Sequence, residues 1–549
     1  MTADGRLIHR ERLLLSDNAL DPGHTREDGP LEDRLDENGG DPRTLREKAP
    51  RPAGGDCHAA PVTQRSPEND EDVWLRPGRR FEREGRRATA PPAKPVLPVR
   101  IGLPSAGIGT RQLRIAVLVG VAVAWAAIYS AQSVIWGVGR APAGTIETAI
   151  SWVSLVWVLP LLPASLALAG YLRYCRPRAG VEGLYEPLDV VVSFRIVSRG
   201  QNADALRGTI ESVRREIQRA PVFGYLIEVV TDLPVELGDG PDLIHYLVPA
   251  GYETPRRSLF KARALQYALD VSGLPDDAWI MHLDEESWIS PSLLAGMHQA
   301  IREEEASGEY RIGQGAILYH RHIATHRFLT LADMIRSGDD FGRFRLQHDL
   351  GITLFGLHGS FILARQSVAR EVGFDFGPEG SITEDAFWAL VQMQRGRRCR
   401  WVDGYVEEQP TQSIKDFMKQ RRRWFLGLVK VVRHAPVALR WRLPLAISVA
   451  LWSLSWVGVL YTYVRLGFGV QTPAPWIVWF GDLAFAIYVV NYVLGLKLNL
   501  DDWEPIGRLQ AGAMYVAVVV LIPIFSLLEV GGVLWALLRP DPGFHVVKK

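Results

Sequence analysis

The chain has 549 residues, 47% of them hydrophobic and 22% charged, with a formal net charge of +1. That length accommodates a soluble domain together with a membrane part, and the near-neutral balance excludes the basic field of a nucleic-acid binder. Three cysteines, Cys57, Cys175 and Cys399, lie too far apart for a metal-ligand spacing or a disulfide framework, which fits a reducing, cytosolic setting.

Residues 1–110 are rich in Arg, Asp, Glu, Pro and Gly and poor in apolar clusters. Such a composition buries too little surface to offset chain entropy, so it predicts a disordered N-terminal tail. The tail lacks the short apolar core of a secretory signal peptide. Residues 111–178 hold two apolar runs. Ile115–Gly137 has no charged residue and is long enough to cross a hydrocarbon core about 30 Å thick. Thr148–Leu172 is the second, with Pro160 and Pro163 expected to kink it. Arg111 and Arg114 precede the pair and Arg173, Arg176 and Arg178 follow it, so both outer flanks read as cytoplasmic.

Residues 180–435 then form a cytosolic domain. "LDVVV" at Leu188–Val192 is a buried-strand pattern, followed by the helical "ALRGTIESVRREI". Leu226–Asp232 is a second strand ending in an acid, and Tyr246–Pro249 a third. The helical "FKARALQYALDVSG" follows, and then "AWIMHLDEES", a fourth strand that ends in Asp284, Glu285 and Glu286. This alternation predicts an α/β domain with a mostly parallel sheet and helices on both faces. Ligands bind such sheets beyond the carboxyl ends of the strands, where Asp232 and the acidic cluster fall. Asp284 and Glu286 point the same way on an extended chain and suit Mg²⁺ or Mn²⁺ shared with phosphates. The same acids would equally serve the start of the next helix, near Ser287 and Ser290. "IREEEASGE" at Ile301–Glu309 reads as a solvated helix face.

Further on, Gly356 and Gly359 break the chain, and Thr383-Glu384-Asp385 precedes the apolar "AFWAL". Thr383 has the place of a helix cap with Asp385 in the first turn; alternatively, Asp385 beside a hydroxyl is a general base. "DFMKQRRRWFLGL" at Asp416–Leu428 leads toward the membrane, and its arginines read either as a basic anchor or as a phosphate-binding surface. Three more apolar runs fill residues 443–538: Leu443–Val464, Trp476–Leu496 and Ala511–Leu538. Asp482 and Glu529 within them face a bundle interior or snorkel to an interface. Three simple crossings would leave the C-terminus outside.

These motifs, in order across residues 185–549, resemble the family 2 processive-type membrane glycosyltransferases. The resemblance implies a glycosyltransferase-A-like cytosolic domain inserted between transmembrane helices of a multi-pass integral membrane protein. It assigns Asp232, Lys261 and Asp284 to the donor nucleotide, with Lys261 in the family's Lys-Ala-Gly-Ala-Leu, here Lys-Ala-Arg-Ala-Leu. It makes Asp284 and Glu286 the ligands of a divalent cation, Mn²⁺ or Mg²⁺, with Glu in place of the usual last Asp. Asp385 becomes the catalytic base. Thr383, Glu384, Gln420, Arg423, Trp424, Gly359, Ser360 and His358 fall on the leaving-group and acceptor side, with Arg422 a further phosphate partner and Arg421 a basic anchor. "FHVVKK" resembles a gating motif, which implies a cytosolic tail over residues 539–549 carrying Phe544, Val547 and Lys549, with Val547 where Thr is usual. A cytosolic tail in turn implies that the last apolar run is re-entrant or interfacial around Pro523.

"VVSFRIVSRG", "HLDEES", "GSITEDAFWAL" and "RRRWFLGL" are most similar to egghead-type β-1,4-mannosyltransferases. That likeness implies GDP-mannose as donor, a UDP-sugar being the other candidate, and a lipid or glycan acceptor in a lipid membrane. Two rivals accompany this expectation. One is a processive synthase that exports a β-linked mannan or glucan. The other is a non-catalytic transporter or scaffold.

Overall fold

The computed structural model describes residues 99–101, 110–137, 142, 144–173, 183–319, 327–472, 474–502 and 506–540. The expected disordered tail lies outside them except at residues 99–101 and 110, and the gating tail, with Phe544, Val547 and Lys549, lies outside them beyond residue 540. Val99–Ile101 forms strand β1, antiparallel to β2 (Gly183–Tyr185), and Ile101 is buried in the core of the soluble domain.

The sheet of that domain has eight strands: β3 (Val191–Ser198), β4 (Gly224–Thr231), β5 (Leu243–Leu247), β6 (Trp279–Asp284), β7 (Trp288–Ile289), β8 (Ile312–Tyr319), β9 (Ile362–Arg365) and β10 (Cys399–Glu408). Their spatial order is β5-β4-β3-β6-β9-β8-β10-β7. Pairing is parallel from β5 through β6 and between β8 and β10, and antiparallel where β9 joins β6 to β8 and where β7 closes the edge. The sheet is therefore mixed. Alternation sends Val192, Phe194 and Ile196 to one core with helices Ala203–Arg219 and Pro291–Ser307. Val197, Val230 and Ile280 face a second core with helices Phe260–Val271 and Glu384–Gln394. Burial on both faces explains why these strands read as near-continuous apolar runs.

Two strands are displaced from their expected places. The first begins at Val191 rather than Leu188, and extends through Arg195 to Ser198. Its continuation hides behind a charge: Arg195 and its register partner Glu228 are both fully buried, 2.7 Å apart. Ser193 and Ser272 also donate to Glu228, at 2.7 and 2.5 Å. A one-residue slip between β3 and β4 would strand both charges, so the pair pins the register. The third strand is Leu243–Leu247, not Tyr246–Pro249. The segment Ile301–Glu309 is solvent-exposed as expected except at Ile301 and Glu304, which are buried. Glu304 accepts the Arg311 backbone N–H at 2.9 Å, and burial pushes its carboxyl up to about 7.

Among the described residues five helices are long and apolar enough to cross a membrane: Arg111–Trp136, Thr145–Arg173, Leu439–Phe468, Pro475–Asp502 and Arg508–Leu538. The second breaks into a 3₁₀ segment at Trp152–Trp157 before Pro160, which has no N–H to continue the ladder. The expected re-entrant pair at Pro523 does not form. Arg508–Leu538 is one helix of 31 residues with Pro523 inside it, and the Pro523 carbonyl accepts the Tyr463 hydroxyl at 3.1 Å. Proline within a helix leaves the carbonyl four residues earlier, here that of Val519, without its ladder bond, and helices buried among others tolerate this. Asp482 and Glu529 both face the bundle interior, with Gln132 donating to Asp482 and Arg421 Nε donating to Glu529 at 2.6 Å.

Membrane and soluble parts meet backbone to backbone. A Cβ on Gly495 would lie 1.9 Å from the Met334 carbonyl oxygen, and one on Gly338 would lie 2.2 Å from that of Asn491. Helix Pro475–Asp502 is thereby seated against helix Arg327–Asp339. One turn on, Asn499 Oδ1 accepts the backbone N–H of Tyr319, at the end of β8, at 2.7 Å.

Candidate active site

The carboxyl ends of β3, β4 and β6 open into a cavity of about 1520 Å³ that continues among the membrane helices. Asp232, Lys261, Asp284, Glu286, His358, Gly359, Ser360, Thr383, Glu384, Asp385, Gln420, Arg423 and Trp424 all line it. Of the site residues expected from the sequence that fall among the described residues, all but Arg422 are thus gathered there. The Arg422 guanidinium donates to the Arg539 carbonyl at 2.7 Å and lies over the Trp535 ring. At 3.6 residues per turn, adjacent side chains leave a helix about 100° apart, and here Arg423 faces the cavity while Arg422 does not.

Lys261 is the centre of charge. Its Nζ donates to Asp284, lies 3.6 Å from Glu384 Oε1, and donates to the Gly359 carbonyl at 3.3 Å. The loop that delivers it is strained: Arg257 and Phe260 hold left-handed backbone, with φ of 60° and 54°. Such conformations cost about 1–2 kcal/mol each outside glycine. Asp375 compensates by accepting from Thr254 Oγ1 at 2.6 Å, Ser258 Oγ at 2.9 Å and the Arg256 N–H at 2.8 Å.

Glu384 and Asp385 open helix Glu384–Gln394. Thr383 occupies the cap position but makes no capping bond, and its hydroxyl has no partner among the described residues. Asp385 Oδ1 instead accepts the Ala386 N–H at 2.7 Å. Burial raises the Asp385 carboxyl above its ordinary range, opposed by the Lys261 charge. Burial pushes Glu384 up to about 7, again against Lys261. Gly359 faces all three: a Cβ there would lie 2.9 Å from Lys261 Nζ, 3.3 Å from Asp385 Oδ2 and 3.5 Å from Glu384 Oε1. Only a residue without a side chain leaves this space to a ligand.

Helix Ile414–His434 forms the opposite wall. Ser413 caps it, accepting the Asp416 N–H at 3.1 Å. Gly427 lets it approach Thr383, whose Cγ2 would lie 2.5 Å from a Cβ at that position. Arg421 is not an exposed basic anchor. It is 2% exposed and pairs with Asp333 and Glu529 while packing over Phe417 and Trp424. Trp424 also receives Arg336, 5.6 Å from its ring centroid, and Arg336 pairs with Glu408 at 2.8 Å.

Several of these partners escaped the sequence reading. Arg336, Glu408 and Asp340 come from elements with no motif of their own. Arg263 was visible as the departure from glycine in Lys-Ala-Arg-Ala-Leu, and it meets Asp232 at 2.5 Å.

The description "Glycosyl transferase family group 2" matches residues 279–494. Beta-1,4-mannosyltransferase bre-3 of Caenorhabditis briggsae is 30% identical over 433 residues, covering 75% of this chain and 93% of the relative. Beta-1,4-mannosyltransferase egh of Drosophila melanogaster is 31% identical over 364 residues, covering 65% and 78%. Among solved structures, mannosyltransferase PcManGT from Pyrobaculum calidifontis, in complex with GDP-Man and Mn²⁺, aligns over 72% of this chain and all of its own, with a TM-score of 0.40 and 13% identity. The chain belongs to the family 2 glycosyltransferases and is similar to the bre-3 and egh β-1,4-mannosyltransferases.

Proposed function

We propose that the protein is an inverting mannosyltransferase of a membrane, moving mannose from GDP-mannose in β-1,4 linkage onto a lipid-linked or glycan acceptor. The observation that carries this reading is the single cavity joining Asp385, Lys261 and Asp284 to the membrane helices. The activities of bre-3 and egh suggest the sugar and the linkage.

The acceptor hydroxyl attacks the anomeric carbon from the face opposite the nucleotide. Asp385, placed beside Gly359, takes the hydroxyl proton as the new bond forms. The bond from the anomeric carbon to phosphate oxygen breaks, and the electron pair leaves with GDP. Lys261 and Arg423 face that developing charge, and Arg263 with Asp232 borders the donor end. Trp424 offers an apolar ring to the acceptor sugar. Among the described residues no group of three or more His, Cys, Asp or Glu side chains is arranged to hold a metal. Asp284 and Glu286 fit the other mode, in which one or two carboxylates share a cation with substrate phosphates. Mn²⁺ or Mg²⁺ held there would offset charge on the diphosphate.

A second reading, processive synthesis of a β-glycan, draws on the shape of the cavity. It is lined from Leu445 to Leu466 along helix Leu439–Phe468, a length of about 30 Å at 1.5 Å per residue.

The deciding experiment measures nucleotide diphosphate release in lipid nanodiscs. The donors are GDP-mannose, UDP-glucose, UDP-N-acetylglucosamine and UDP-galactose, each with Mn²⁺, Mg²⁺ or chelator. Metal-dependent GDP release from GDP-mannose alone is expected. UDP release would discard the mannosyl assignment, and a ladder of products would favour the synthase. With Asp385→Asn, transfer is lost while GDP-mannose still binds; full turnover of that variant would overturn the base assignment.

A further inference from the structure

His358 stands beside the reacting groups, and its ring is fixed from behind. Its Nε2 lies 2.6 Å from Asp340 Oδ1. Asp340 is fully buried, and its other oxygen accepts the backbone N–H of Ile317 at 2.8 Å. Phe344 packs on the imidazole with ring centroids 4.2 Å apart. Asp340 and Phe344 are the two ends of a π-helical turn, an irregularity that recurs where helices carry functional groups. The backbone of His358 is held as well, its carbonyl accepting the Phe361 N–H at 3.2 Å and Gln314 Nε2 at 3.4 Å. The side chain keeps 16% of its exposure and borders the cavity one residue before Gly359.

This arrangement dictates the tautomer. A carboxylate offers only acceptors, so the nitrogen facing Asp340 carries the proton. In the neutral ring Nδ1 is then a bare acceptor. It has no protein partner among the described residues.

We propose that Asp340 is a positioning residue that fixes the tautomer of His358, so that Nδ1 of His358, already expected on the acceptor side, accepts a hydrogen bond from a hydroxyl of the acceptor sugar. The proposal deepens the glycosyl-transfer reading above and rests on it. It adds no chemical step. Asp385 still receives the proton, and His358 orients the sugar against it.

Asp340→Asn is the informative change. The Ile317 N–H still requires an acceptor, so the amide oxygen stays there and the NH₂ turns to His358. Nε2 must then accept, Nδ1 takes the proton, and the cavity meets a donor where it met an acceptor. The test uses the full chain in nanodiscs and the donor that the wild type turns over. The acceptor probe is whichever of octyl β-glucoside, octyl β-mannoside or octyl β-galactoside the wild type uses best. Expected are a loss of roughly tenfold or more in kcat/KM for the probe and unchanged nucleotide-sugar binding. The ¹⁵N spectrum of labelled histidine, with His358 assigned through His358→Gln, should move to the Nδ1–H form. Wild-type kinetics with the tautomer reversed would overturn the proposal, as would a parallel loss of donor binding. If Asp340→Asn does not fold, His358→Gln against His358→Phe decides. The glutamine, which can accept, should retain more transfer than the phenylalanine, which cannot, and equal loss would count against the idea. Absence of turnover from GDP-mannose in the wild type bears on the donor assignment and leaves this comparison to be made with the donor it does use.

Discussion

Lys261 holds one end of a balance of charge whose other end is Glu384 and Asp385. Burial raises both carboxyls and the lysine pulls them down. The base works ionised, so turnover falls as pH drops through the raised Asp385 value. The acid limb of the pH profile is therefore expected above the ordinary Asp range near about 4. Lys261→Met removes the opposing charge and should move that limb to still higher pH, measured as nucleotide release at saturating donor. A limb that stays put would show that another group governs it. Arg421 makes a different demand. It is buried between Asp333 and Glu529, and Arg421→Ala leaves both carboxylates without their cation. Removing one partner of a buried pair costs about 3–5 kcal/mol, so thermal unfolding in nanodiscs should shift markedly downward.

At the scale of elements, a glycine contact governs how helix Ile414–His434 meets the loop before Glu384. Gly427→Val places a branched side chain against Thr383 and should displace the loop that carries Glu384 and Asp385. The expected outcome is lost transfer with helix content retained by circular dichroism. The sequence displayed these elements unevenly. β4 and β6 were legible because both faces of each are buried, which leaves unbroken apolar runs ending in acids. β3 was misplaced because its second half carries Arg195, and no local pattern reveals that Glu228 waits on the next strand. Glu304 misled for the same reason, since its partners Arg311 and Arg400 lie just before β8 and on β10. The site was legible where chemistry demands a residue type, at Lys261, Asp284 and Asp385. Its supporting residues, Arg336, Glu408 and Asp340, needed tertiary structure to be seen. The single helix through Pro523 was hidden because proline's effect depends on neighbours that the sequence does not place.

For the whole molecule, the cavity is the feature that separates binding of the two substrates. Its soluble end carries the charged groups, and its other arm runs between apolar helices. Ser455→Trp fills that arm far along helix Leu439–Phe468. It should abolish transfer to a membrane-borne acceptor while leaving nucleotide-sugar binding intact, by equilibrium binding against product formation. Family membership removes the non-catalytic transporter or scaffold from consideration.

The bond from the Tyr319 N–H to Asn499 joins residues 180 positions apart. During synthesis β8 emerges long before the helix that completes it. The half-made sheet must wait, with an unsatisfied end, until the fourth apolar helix has been made and inserted. Separation of the sheet from that helix would break the same joint. The sheet is tied in time, as well as in place, to the completion of helix Pro475–Asp502.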